Sequence, residues 1–142
     1  MSYEPSLSRL KNLNISNNGY ITLIFKEIDY NEIYDKNLKK VINYDFFCRF
    51  SVNDKTIIGY NPKHVINTDE EPSKKIRENF KKKFYRVEDI KYPIFIGGYL
   101  GYYGYENISS IEDSVKSNYN NPTNIPINIF CLYDSFMVID YK

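Results

Sequence analysis

The sequence has no tryptophan, alanine or glutamine, and only one histidine and two cysteines in 142 residues. His64 has no Cys, His or carboxylate at ligand spacing, so a metal centre lacks its donor set. Cys48 and Cys131 allow one pairing and therefore no disulfide framework, and neither has a partner histidine in a local nucleophile signature. Both are expected as small core residues. An excess of one charge is also missing. Nineteen basic against eighteen acidic residues leave a formal net charge of +1, too little to draw the chain to nucleic acid or an anionic membrane. No run approaches the roughly 20 apolar residues of a membrane span. Glu4, Lys11 and several asparagines interrupt every apolar stretch near the N-terminus, so nothing there reads as a signal peptide. The expectation is a reduced, cytoplasmic protein with no nucleic-acid and no membrane partner.

What is present is apolar bulk. Hydrophobic residues make up 42% and aromatics 17%, the latter as fifteen tyrosines and nine phenylalanines, enough to offset the entropy of ordering the backbone. The length suits one domain. Lys, Asn, Ile and Tyr recur while Ala is absent, a bias of AT-rich coding, so tyrosine richness by itself carries no functional weight.

Residues 20–28 alternate, with Ile21, Leu23 and Phe25 on one face, and predict a strand after Asn17-Asn18-Gly19. From Asn31 the positions Ile33, Tyr34, Leu38 and Val41 recur at helical spacing and predict a short amphipathic helix. Tyr44, Phe46, Cys48, Phe50 and Val52 then alternate with polar neighbours. With Asn53-Asp54 as the turn, residues 44–60 read as a hairpin, followed by a further short strand over 63–66 that the polar run 67–71 breaks. Pro72 opens a helix whose stripe is Ile76, Phe80 and Phe84, with the acidic 69–71 segment at its positive end and a solvated face of Lys74, Lys75, Lys81, Lys82 and Lys83. Ile94-Phe95-Ile96 reads as a buried strand. After an Asn-rich loop over 114–124, residues 127–141 are apolar on both faces, as in a strand that needs cover from more protein.

Between these lies the segment Gly97-Gly98-Tyr99-Leu100-Gly101-Tyr102-Tyr103-Gly104-Tyr105-Glu106. Its glycines do not match a dinucleotide fingerprint, and it lacks the Lys-Ser/Thr of a phosphate loop. Its tyrosines lack the basic lead-in of an RNA-stacking sheet. The expected role is steric, with glycines permitting close backbone approach or positive φ between large side chains. Asp69, Glu70 and Glu71 suit helix-end electrostatics better than Mg²⁺ coordination, because no second acidic group lies nearby to close a site. No catalytic constellation emerges.

Two phrases carry a resemblance. Phe95, Gly97, Gly98, Gly101, Tyr102, Tyr105 and Glu106 match the form F-x-G-G-x-x-G-Y-x-x-Y-[DE]. Pro126, Phe130, Tyr133 and Asp134 then match P-x-x-x-F-x-x-Y-D, with Ile139-Asp140-Tyr141 in place of a final F-D-H. In this the chain resembles the N-terminal region of chorismate-utilising enzymes, component I of anthranilate synthase and of aminodeoxychorismate synthase. Upstream, Ile58-Gly59-Tyr60-Asn61-Pro62 stands where the family has I-G-x-x-P, and the resemblance covers most of residues 20–142. It departs at Phe46-Phe47-Cys48-Arg49, where feedback-inhibited members carry a Leu-Leu-Glu-Ser phrase that helps bind tryptophan. Neither that Glu nor that Ser is present, so the tryptophan site is not carried over.

The resemblance implies an α+β fold, a mostly antiparallel sheet with two to three helices, incomplete over 1–142 because the chorismate-binding C-terminal domain is absent. It implies a scaffold or regulatory region of an anthranilate synthase component I-like protein, whose parent reaction converts chorismate and ammonia to anthranilate and pyruvate. The alternatives are the same region of aminodeoxychorismate synthase component I, or a stand-alone, non-enzymatic binding or partner module. Implied partners are the C-terminal chorismate-binding domain or a separate catalytic half, and a glutamine amidotransferase subunit. Mg²⁺ belongs to the parent enzyme, and no catalytic, cofactor-binding or metal residue is expected here. Gly97, Gly98, Gly101, Tyr102, Tyr105, Glu106, Tyr133 and Asp134 are expected as structural motif residues.

Overall fold

The computed structural model describes residues 2–13, 20–28, 43–79, 83–110, 112, 114–115 and 124–141. It is an α+β fold with mostly antiparallel sheets. In chain order the elements are α1 (Leu7–Leu13), β1 (Tyr20–Ile21), β2 (Phe47–Val52), β3 (Lys55–Tyr60), β4 (His64–Thr68) and α2 (Ser73–Asn79). There follow β5 (Lys83–Phe84), β6 (Gly98–Tyr103), a 3₁₀ turn (Tyr105–Ser110), β7 (Asn128–Tyr133) and β8 (Phe136–Asp140). One three-stranded sheet has the order β2-β3-β8 and a second the order β4-β7-β6.

The two sheets share one backbone ribbon. β3 pairs antiparallel with β8, and β4, which continues β3, pairs antiparallel with β7, which leads into β8. Gly59 stands opposite Phe136 and His64 opposite Leu132, so residues 60–63 face only residues 133–135. The ladder is interrupted at this surplus, and the ribbon bends there on both strands. Asn61 takes the left-handed backbone it requires (φ 48), Pro62 has no N–H to leave unpaired, and the Lys63 amide resumes the ladder at 2.8 Å from the Leu132 carbonyl. β2 flanks the ribbon on the β3 side and β6 on the β7 side.

The expected hairpin is present over 47–60 as β2 and β3, turned at Asn53-Asp54 with Asn53 at φ 53, whereas residues 44–46 lie outside the strand and Tyr44, Phe46 and Phe50 are exposed rather than on a buried face. β3 is the middle strand of its sheet, and Thr56, Ile57, Ile58 and Gly59 are all buried, Ile58 at 2% exposure. β4 runs to Thr68, past the expected break, because Thr68 turns inward while Asn67 faces out. The 127–141 run is two strands, not one. Asp134 and Ser135 interrupt it at the bend, β7 is buried at Asn128, Cys131 and Tyr133, and the apolar residues of β8 are half-buried.

Three further expectations are corrected. The strand over 20–28 contracts to Tyr20–Ile21, parallel to β5, plus an isolated pairing of Phe25 with Glu4. The helix after Pro72 is Ser73–Asn79, and Phe84 lies in β5, where it pairs with Ile21 and meets the Tyr92 ring at 5.7 Å. Ile94-Phe95-Ile96 is not a strand: Ile94 is exposed, and the strand is the glycine segment after it. Phe80, the helix expected over 31–41 and most of the 114–124 loop lie outside the described residues.

Candidate functional site

The first motif phrase becomes β6 because glycine lets two backbones meet. A Cβ at Gly101 would lie 1.9 Å from the Ile129 carbonyl oxygen and 2.7 Å from the Phe130 Cα, contacts no side-chain motion can relieve. Gly97 and Gly98 carry the chain into the strand at φ 95 and φ 137, the first packed against the Tyr133 carbonyl. Gly98 then stands opposite Tyr133, Gly101 opposite Phe130 and Tyr102 opposite Ile129. The two phrases, a loop apart in sequence, are register partners.

Side chains brace both ends of this pair: at the corner the Phe95 ring meets Phe136 edge-on at 4.7 Å, and at the opposite end the Tyr102 hydroxyl donates to the Pro126 carbonyl at 2.7 Å. Asp134, at the bend, lies 3.5 Å from Lys63 in an exposed pair of the kind that contributes little to stability. Of the expected motif residues, Gly97, Gly98, Gly101, Tyr102, Tyr133 and Asp134 are therefore brought together along β6, β7 and the bend. Tyr105 and Glu106 are not. They open the 3₁₀ turn beyond the far end of β6, where Tyr105 is 85% exposed and the Glu106 carbonyl accepts from the Ser109 hydroxyl at 2.9 Å.

Tyr133 is the anchor of the corner, with 1% of its surface exposed. Its ring lies flat over Gly59, where an added Cβ would fall 2.7 to 2.8 Å from three ring carbons. Gly59 pairs with Cys48 across the hairpin, and Cys131 lies two residues before Tyr133 on the same face of β7, so both thiols border one ring. Burial pushes the Tyr133 phenol far up from its ordinary value, and the neighbouring Cys131 and Cys48 add to the effect. Burial likewise raises both thiols, Cys48 with help from Cys131. Both cysteines are free. Thiols held protonated in this way are poor nucleophiles at neutral pH.

A second polar cluster lies at the other end of β7. Asn128, fully buried, donates through Nδ2 to the Glu70 carbonyl at 3.1 Å and to Asn107 Oδ1 at 3.2 Å, tying the 69–71 loop to the 3₁₀ turn. The three carboxylates of that loop point to separate partners. Asp69 accepts the Ile127 amide at 3.3 Å, Glu70 meets Lys75 at 3.6 Å, and Glu71 takes both the hydroxyl and the amide of Ser73. The Ser73 hydroxyl holds the Glu71 carboxyl below its ordinary range, against a smaller opposing effect of burial, with Tyr103 and Arg77 assisting. Carboxylates engaged in this way do not converge on a cation. Among the described residues no group of three or more His, Cys, Asp or Glu is placed to hold a metal, and no described helix is long and apolar enough to cross a membrane.

Reading the sequence missed Gly59 and Asn128 as determinants of these clusters. Gly59 had a signal, an isolated glycine inside an apolar strand, which marks a close approach. Asn128, one polar residue in an apolar run, had none beyond that contrast. The site defines an α+β protein whose glycines and tyrosines weld two sheets at a bend. Comparison of the chain with protein-family models, curated proteins and solved structures returns no match.

Proposed function

We propose that the chain is the N-terminal region of an anthranilate synthase component I-like protein. In this role it scaffolds a catalytic region that binds chorismate and Mg²⁺ and receives ammonia from a glutamine amidotransferase subunit. One observation supports the reading above others: the two phrases that carry the resemblance are paired residue for residue, Gly98 with Tyr133 and Gly101 with Phe130. Such pairing explains why both phrases are needed together while the loop between them is free to vary in length. Glycines at the contact and a buried tyrosine at the bend are structural requirements of one corner, so the chain contributes positioning and no catalytic group.

The missing Glu and Ser at 46–49 keep the aminodeoxychorismate branch as the alternative within the family. A stand-alone module pairing with a separate catalytic half is favoured by a different observation, the burial of β7 within the chain itself. In all three readings the chain alone is inactive. Purified chain incubated with chorismate, Mg²⁺ and ammonia is expected to yield neither anthranilate nor aminodeoxychorismate, read by product fluorescence and chromatography. Formation of either product by the chain alone would overturn the assignment.

A further inference from the structure

β2 is an edge strand. Its sheet runs β2-β3-β8, so among the described residues only β3 borders it. The turn at Asn53-Asp54 closes on Val52 and Lys55 as a hydrogen-bonded pair, and bonded and non-bonded pairs alternate from there along the antiparallel ladder. Phe50 and Cys48 therefore direct their N–H and C=O groups to β3, while Phe47, Arg49 and Ser51 turn theirs outward. The strand carries none of the devices that blunt an edge. It has no proline and no lysine, its register with β3 is unbroken over all 6 residues, and Phe47 and Phe50 are exposed.

The alternating run of the sequence starts at Tyr44, yet the ladder with β3 ends at Phe47, opposite Tyr60, and leaves residues 44–46 beyond it. Asp45 and Arg49 are both exposed, and neither forms an ion pair with a described residue. Four residues apart in an extended chain, they share one face. When two copies of a strand pair antiparallel about a two-fold axis, each contact is made twice. With the axis at Phe47, Asp45 of each copy falls opposite Arg49 of the other, and no other two-fold register achieves this. The same register matches the outward-bonding positions, 45 with 49 and 47 with 47. It also sets Phe47 opposite Phe47 and Phe46 opposite Cys48, so charge and apolar complementarity coincide. An axis at Arg49 would instead oppose two like charges.

We propose that β2 is a self-association edge: a second copy of this chain adds its own β2 antiparallel, centred on Phe47, and draws residues 44–46 into the ladder. The two three-stranded sheets then join into one. This goes beyond the scaffold reading and does not rest on it. The test is sedimentation equilibrium of the purified chain from about 5 to 500 µM. The expected result is a reversible rise from 16.9 kDa toward twice that mass. Arg49→Glu and Asp45→Lys, each checked as folded by circular dichroism, set like charges opposite one another and should each weaken the dimer at least about tenfold. Mixing these two variants restores opposite charges at both positions and should recover association of the original strength. The doubly exchanged chain, carrying Asp45→Lys with Arg49→Glu, should likewise dimerise as the parent does. A monomer throughout the range, single variants that dimerise like the parent, or no recovery in both the mixture and the doubly exchanged chain would each overturn the proposal.

Discussion

Replacing Gly59 by alanine tests the packing of the corner directly. A Cβ there would stand 2.7 Å from the ring of Tyr133, about 0.7 Å inside ordinary contact, and it would do so against three ring carbons at once. The ring cannot swing into solvent, since Tyr133 is buried and its own strand is pinned between β4 and β6. Overpacking of this kind costs about 1–3 kcal/mol. Alanine returns about 0.5–1 kcal/mol by restricting the unfolded chain. The net loss should be about 1–2 kcal/mol, which lowers Tm by about 3–8 °C in a chain of this size. In a Tyr133→Leu background the ring is gone, and the same change should be neutral or slightly stabilising, giving a coupling of about 1–2 kcal/mol in a double-mutant cycle read by urea and thermal unfolding. An unchanged Tm for Gly59→Ala alone, or equal effects in the two backgrounds, would refute the reasoning.

Asn128→Ala removes two donations inside a buried cluster, to the Glu70 carbonyl and to Asn107, and should cost about 2–3 kcal/mol, seen as a lower urea midpoint at unchanged slope. Alkaline stability follows from the buried acids. Cys48 and Cys131 start from 9.0 and Tyr133 from 10.0, and all three are raised in the fold, so above these values the unfolded chain holds fewer protons than the native one. Stability should be level with respect to these groups up to about pH 8 and fall from about pH 9 upward. Cys48→Ser together with Cys131→Ser should postpone the start of that fall to the tyrosine range, as followed by chemical unfolding at stepped pH.

The hairpin of β2 and β3 was legible because Asn53-Asp54 separates two alternating runs, and local turn chemistry decides such pairs. Residues 127–141 show the opposite case. Apolar residues on both faces concealed the bend, although Asp134-Ser135 marks its place, because the bend also depends on an extra residue in another strand, at 60–63. Phe84 continued the helical stripe of Ile76, yet pairing with Ile21 and packing on Tyr92 place it in a strand, tertiary contact overriding periodicity. At the corner, the motif glycines announced close approach, and Gly101 has it. What they packed against was invisible until the register of β6 on β7 set Gly98 beside Tyr133. The buried tyrosine over Gly59 joins two positions far apart in the chain, a relation that only the folded ribbon supplies.

The proposed place of this chain at the front of a chorismate-utilising protein is tested most directly by the mass of the native gene product that contains it. The scaffold reading predicts a polypeptide several hundred residues longer than these 142, with a chorismate-binding region following the corner. A native product of 16.9 kDa that neither continues into such a region nor copurifies with a chorismate-converting partner would contradict it.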